Sequence, residues 1–216
     1  MAWLILGLVL FLGAHAVRIF ADNWRTQTIQ KWGEKPFKGV YALVSLVGFY
    51  ALIVGYGEAR LQTVALWNPP VATRHISVLL MVFASILLVA TYVPRNHFKA
   101  RLKHPMVLSV KVWALAHLLA NGNLADVILF GSFLIWAVLN FRAARARDRA
   151  GVMQSEALDA PSTELASGAA LEMPAATPPK AVSTIVAVVL GLALWGVFTF
   201  VLHAQWIGIS PMGRVL

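Results

Sequence analysis

Cysteine is absent from the 216 residues. That removes disulfides, thiolate chemistry and cysteine-ligated iron–sulfur clusters, and leaves the six histidines as the main candidate ligands for a soft metal or a haem iron. Charge is scarce as well: Asp, Glu, Lys and Arg make up 12% of the chain, where a soluble domain carries about 25%. Acidic residues are the scarcest, nine against eighteen Lys and Arg, for a net charge of +9. What fills the chain is apolar, 59% of it. Apolar runs recur near the ~20 residues that cross a hydrocarbon layer of ~30 Å as a helix. This is the composition of a membrane protein, with lipid as its first partner. The cations sit in short clusters beside apolar runs, which is how membrane proteins fix orientation, so nucleic acid is not an expected partner.

The pattern predicts an all-α, polytopic bundle of six transmembrane helices, at about 2–21, 37–57, 74–94, 105–121, 124–142 and 182–206. Ala14-His15-Ala16 imitates a signal-peptidase site, but no basic region precedes it and Arg18 follows, so residues 1–21 read as a retained span. One set of loops receives Arg25, Lys31, Lys35, Arg95, Lys99, Arg101, Lys103, Arg142, Arg145, Arg147, Arg149 and Lys180; the other receives Arg60, Arg74 and Arg214. The richer side is expected to be cytoplasmic, with both termini outside. Residues 1–142 read as a five-helix core and 143–181 as a flexible cytoplasmic linker, rich in Ala, Pro, Ser and Glu over 150–180; 182–216 reads as the sixth helix with an outer tail.

The most informative stretch is HPMVLSVKVWALAHLLANG, residues 104–122. Pro105 suits its start and Asn121-Gly122 its stop. Trp113, His117 and Asn121 fall at i, i+4, i+8, so an aromatic ring, an imidazole and an amide share one face. An imidazole deep in a span is costly unless paired, and so marks a site. The first span carries Phe11, His15, Arg18 and Asp22 on one stripe; the second carries Lys38, Tyr41, Ser45, Gly48, Leu52 and Gly55; the fifth carries Ser132, Trp136 and Asn140. Arg18, Lys38 and Lys111 lie in the cytoplasmic half, with Asp22 the one acid clearly nearby, so an anion is missing.

Two readings of these groups stand beside each other. A haem takes two axial imidazoles, His15 and His117, and offers two propionates to the cations. Anionic lipid headgroups serve the cations equally well, and Arg18, Lys38 and Lys111 can snorkel to them. At 1.5 Å per residue His15 lies roughly 9 Å and His117 roughly 18 Å from the cytoplasmic end, a difference that a tilt has to close. A rival cluster of His75, His117 and His203 near the outer face offers a metal site. As plain structure, His75, His97 and His203 near span ends need only a backbone carbonyl or water, His97 being a solvated loop residue.

The chain resembles the NnrU family of bacterial membrane proteins, similar to the plant and cyanobacterial 15-cis-zeta-carotene isomerases. The resemblance rests on GAHAVRIF (13–20), GEKPFKGVYALVSLVGF (33–49), LWNPP (66–70), YVPRNH (92–97), the 104–122 stretch, FGSFLIWAVL (130–139) and LHAQWIGISP (202–211). It implies the bacterial inner membrane and a link to denitrification, in support of nitric oxide or nitrite reductase function as sensor, haem carrier or assembly factor. The isomerase branch implies a second function, a cis-trans isomerase acting on a lipid-dissolved carotenoid that enters between helices past Phe11, Phe49, Phe130 and Phe133. That branch binds haem b through two histidines, which match His15 and His117 here; His104 matches a further family histidine. Ala16 departs from the serine usual after the first histidine, which removes a hydroxyl near that imidazole. A transporter or a cofactor-free structural subunit is the third class; no inverted repeat supports it. Oligomeric state is not legible.

Overall fold

The computed structural model describes residues 1–62, 64–159 and 177–212. Arg214 and residues 160–176 of the expected linker lie outside the described residues. The elements are helices throughout: α1 (Ala2–Phe20), α2 (Asp22–Trp32), α3 (Glu34–Leu61), α4 (Val71–Tyr92), α5 (His97–Leu102), α6 (Pro105–Ala120), α7 (Leu124–Asp159) and α8 (Ala181–Val197), which continues as a π-helical stretch, Phe198–Ile207. Five helical segments are long and apolar enough to cross a membrane: Ala2–Phe20, Glu34–Leu61, Val71–Tyr92, Leu124–Gln154 and Ala181–Ile207. The sixth expected span, α6, has 16 residues, so its apolar length is roughly 24 Å.

Local sequence sets where each helix stops. The first helix breaks at Ala21 (φ −136°, ψ 40°), so Asp22 leaves the Phe11–His15–Arg18 stripe and opens α2 instead, an acid at a helix start where the dipole favours it. The polar α2, with Trp24 and Trp32 exposed, was not expected as a helix. Gly33 at φ 88° turns the chain into α3. Pro69-Pro70 precede α4. Asn96 caps α5 by accepting from the Lys99 amide at 2.8 Å; its own amide donates to the Ala90 and Val93 carbonyls, and it is wholly buried. Pro105 opens α6, and the chain turns through 121–123 into α7, as the sequence suggests. Helix α7 does not stop near Arg142, where the linker was expected to begin, but runs on to Asp159.

Two sub-bundles share α7. In the first, α1 packs along α3 through glycine: Gly7 lies against the Leu52 backbone, Gly48 against that of Phe11, and Gly55 against that of Leu4. In the second, α4 packs between α6 and α8, with Gly191 against Ile86 and the Ser109 hydroxyl donating to the Ala84 carbonyl at 2.7 Å. The first sub-bundle meets α6 chiefly across α7, which touches α1, α3 and α6. One end of the molecule gathers Arg18, Arg25, Lys38, His104 and Arg147. At the opposite end the Val64–Trp67 segment pairs with the 121–123 turn, the Leu66 amide donating to the Gly122 carbonyl at 2.8 Å.

A methyl group at Gly48 would meet the Phe11 amide nitrogen at 2.6 Å. Gly48→Ala is therefore expected to lower stability by about 1–3 kcal/mol through overpacking, read from denaturant unfolding in mild detergent. Gly39→Ala, which meets nothing within 4 Å, is expected to leave the transition in place.

Candidate functional site

The polar groups inside the bundle fall into two cavities with an aromatic layer between them. The cavity at the basic end, about 800 Å³, is lined by α1, α2, α3, α6 and α7. His15 stands on its α1 wall. Its Nδ1 lies 2.7 Å from the Phe11 carbonyl oxygen one turn earlier. A carbonyl oxygen only accepts, so Nδ1 carries the hydrogen and Nε2 keeps its lone pair. The ring touches Tyr41 (5.3 Å between centroids) and meets Trp136 edge-on (6.0 Å, 85°). The indole Nε1 of Trp136 is buried without a partner. Asn140, one turn along α7, lines the same wall.

The rim of this cavity is strongly basic, and its cations are not equivalent. Lys38 pairs with Glu34 at 2.7 Å. Arg25 faces Asp22 at 3.8 Å and lies over Phe37. Arg147 donates at 3.4 Å to the Arg18 backbone carbonyl, while the Arg18 side chain forms no ion pair among the described residues. His104 also lines the cavity, but its Nε2 is bonded to Asp148 at 3.0 Å. Lys111 is not on this rim; its ammonium lies 4.8 Å from the Phe141 ring centroid, which accounts for it without an anion. Arg18 and Arg147 are thus the rim arginines without an acid partner among the described residues.

Above the cavity come the rings of Phe11, Phe133, Trp113 and Phe130, stepping at 5.9, 5.4 and 5.1 Å. His117 lies beyond this layer, stacked on Phe130 at 4.5 Å and 5.2 Å from Trp113. Its Nδ1 is held by the Trp113 carbonyl at 2.9 Å, again leaving Nε2 free. It faces the second cavity, about 380 Å³, shared with Arg74, Asn121, Asn123 and His203. Beside that cavity a buried acid, Asp126, accepts from Tyr56 at 2.5 Å and from Asn123 at 3.1 Å. Neither Tyr56 nor Asp126 stood out in the sequence; an acid three residues into an apolar span was the available signal.

His15 and His117 are not brought together. They share no cavity and make no ring contact. Their α7 neighbours, Trp136 and Phe130, are six residues apart, which is roughly 9 Å of helix rise. Two metal–nitrogen bonds of about 2 Å each would need the Nε2 atoms about 4 Å apart. No contact joins the two imidazoles, and the basic-end cavity gathers its donors around His15: a free imidazole nitrogen, an orphaned indole donor, flat aromatic walls and arginines without acids. The expected His75–His117–His203 metal cluster is not formed either. Among the described residues no three His, Asp or Glu side chains gather; His75 is exposed on the first turns of α4 and lines neither cavity, while His203 does join His117. His97 is not merely solvated: its Nδ1 lies 2.7 Å from the Thr184 hydroxyl, tying α5 to α8.

A family model described as NnrU protein matches residues 3–211, both cavities included. The chain belongs to the NnrU family. No curated protein and no solved structure matches it. In this NnrU-family chain the family match spans α1 to the end of the π-helical stretch, so the residues of both cavities belong to one matched unit.

Tyr56→Phe removes the hydroxyl donor to buried Asp126 and is expected to cost about 1–3 kcal/mol, seen as a lower unfolding midpoint in detergent. Tyr50→Phe, at an exposed ring, is expected to leave the midpoint unchanged.

Proposed function

We propose that this NnrU-family chain is a haem b-binding protein of the bacterial inner membrane, with His15 as the axial ligand it supplies and Arg18 and Arg147 as partners for the propionates. The observation that carries the reading is the basic-end cavity: an imidazole with Nε2 free, beside an unpartnered indole N–H and arginines short of acids. Haem, when bound, would supply an iron able to take nitric oxide, and His15 would be the imidazole that holds it. This supports a role in nitrogen-oxide metabolism as sensor, haem carrier or assembly factor for a reductase. The membrane arrangement proposed with it is six spans, α6 included, with the basic end cytoplasmic and both termini outside, on the loop-cation count given above.

The residues of the chain have separable tasks. The Phe11 carbonyl fixes the His15 tautomer and aims Nε2 away from its own helix. Tyr41, Phe133 and Trp136 line the cavity with flat apolar area that excludes water. The Trp136 N–H, buried and without a partner, is the donor that α7 holds beside His15. A second reading, isomerisation of a lipid-dissolved carotenoid, draws on the same aromatic wall, because a polyene would lie along rings rather than among charges.

The purified protein is expected to show a Soret band that His15→Ala abolishes and His117→Ala leaves in place. Arg18→Ala and Arg147→Ala are each expected to weaken haem affinity about tenfold, as for loss of a charge-assisted bond. A protein reconstituted with haem that gives no Soret band overturns the reading and leaves the arginines to anionic lipid. A carotenoid-producing host carrying the chain is expected to leave poly-cis zeta-carotene unchanged; its conversion would establish the isomerase instead.

A further inference from the structure

Three loops meet at the end of the molecule opposite the arginine rim, and their backbones are fastened in place. The Leu66 and Trp67 amides donate to the Gly122 carbonyl at 2.8 and 3.2 Å, and the Leu124 amide donates to that of Val64 at 2.9 Å. A Cβ at Gly122 would fall on the Trp67 carbonyl oxygen, so the two segments touch with no room to spare. Past Gly208, at φ 78°, the Ile209 carbonyl accepts from His203 Nδ1 at 2.6 Å. The second cavity, about 380 Å³, opens among these loops. A site built on tied loops costs little to order when a ligand enters.

The lining carries positive charge and no negative charge. Arg74 is part of it and no Asp or Glu is, and Arg74 forms no ion pair among the described residues. Asp126, beside the cavity, already accepts from Tyr56 and Asn123. Asn121 and Asn123 each spend one amide hydrogen, on the His117 carbonyl at 2.9 Å and on Asp126 at 3.1 Å, and keep the second. A guanidinium with spare amide donors recognises an anion. The two imidazoles offer the opposite. Each gives Nδ1–H to a backbone carbonyl, so each Nε2 accepts a hydrogen and repels an anionic oxygen. His203 is the more open of the two, its ring meeting Phe198 edge-on at 6.0 Å, whereas Phe130 stacks on His117 at 4.5 Å. Trp67, Trp113 and Phe198 add flat apolar area to the same lining.

We propose that this cavity binds a small organic carboxylate whose flat body carries a hydroxyl or amino hydrogen. Arg74 and the second N–H groups of Asn121 and Asn123 take the carboxylate, His203 Nε2 takes the hydrogen, and the aromatic rings take the body. A bare inorganic anion would leave the imidazoles and rings unused, and a neutral apolar ligand would desolvate Arg74 without pairing it. A lipid phosphate would satisfy the guanidinium alone. The site is independent of the haem reading, because it uses neither His15 nor the basic-end cavity.

The test is calorimetric binding of 4-hydroxybenzoate to the full chain in neutral detergent, beside benzoate and 4-hydroxybenzamide. One saturable site for 4-hydroxybenzoate is expected, with both relatives weaker, the amide for want of charge and benzoate for want of the hydroxyl. Arg74→Gln should weaken 4-hydroxybenzoate about tenfold, the loss expected for a charge-assisted bond, and leave 4-hydroxybenzamide unchanged. His203→Phe should abolish the preference for 4-hydroxybenzoate over benzoate while benzoate still binds, a split that a folding defect cannot imitate. His15→Ala should change none of these. No saturable binding, equal binding of the three probes, an unchanged affinity in Arg74→Gln or a preference kept in His203→Phe overturns the proposal. So does binding that phosphatidylglycerol nanodiscs abolish and phosphatidylcholine nanodiscs preserve, which would give Arg74 to anionic lipid. A missing Soret band in the parent chain with 4-hydroxybenzoate still bound would fail the haem reading alone.

Discussion

In a hydrocarbon layer an imidazole has no water to bond, so its hydrogen must be placed within the protein. His15 and His117 solve this in the same way, each giving Nδ1–H to the carbonyl one turn earlier on its own helix. The solution costs the fold little, since the carbonyl already has a second lone pair. It also fixes chemistry: the free nitrogen is Nε2, which points away from the helix that carries it.

Helix α7 gives each histidine an aromatic neighbour. Phe130 stacks on His117, Phe133 fills the space between Phe11 and Trp113, and Trp136 meets His15. Phe130 and Phe133 are three residues apart and Trp136 three more, so successive rings step about 60° round the helix as it climbs. The aromatic layer is therefore a wall between two polar chambers. It separates the larger, arginine-rimmed space around His15 from the smaller one that His117 shares with Arg74 and Asn121.

Much of this was legible in the sequence. Apolar runs located the five helices long and apolar enough to cross a membrane and the short α6, and Pro105 with the Asn121-Gly122 turn marked the limits of α6. The inward stripe on α3 was legible because glycine at a helix interface leaves a periodic gap, and Gly48, Leu52 and Gly55 are all buried against α1. The depth difference between His15 and His117 was also visible in residue counts, and the two imidazoles line different cavities. Other features left no pattern to read. The polar α2 and short α5 depend on a backbone break at Ala21 and on the buried Asn96 cap, both tertiary in origin. The π-helical register around His203 has no compositional signature, so its meeting with His117 could not be separated from the company of His75. The Ala- and Glu-rich stretch after Arg142 reads as linker by composition, yet the same residues are good helix formers and prolong α7.

The unbroken course of α7 between the chambers has an evolutionary cost. Trp136 meets His15 and Phe130 stacks on His117 from a single rigid ladder of backbone bonds. A one-residue insertion or deletion between them turns one ring by ~100° relative to its counterpart and shifts it by ~1.5 Å. Length changes in this six-residue interval must therefore spoil at least one chamber, while point substitutions can alter either separately. Divergence in this helix is confined to exchanging side chains at fixed spacing.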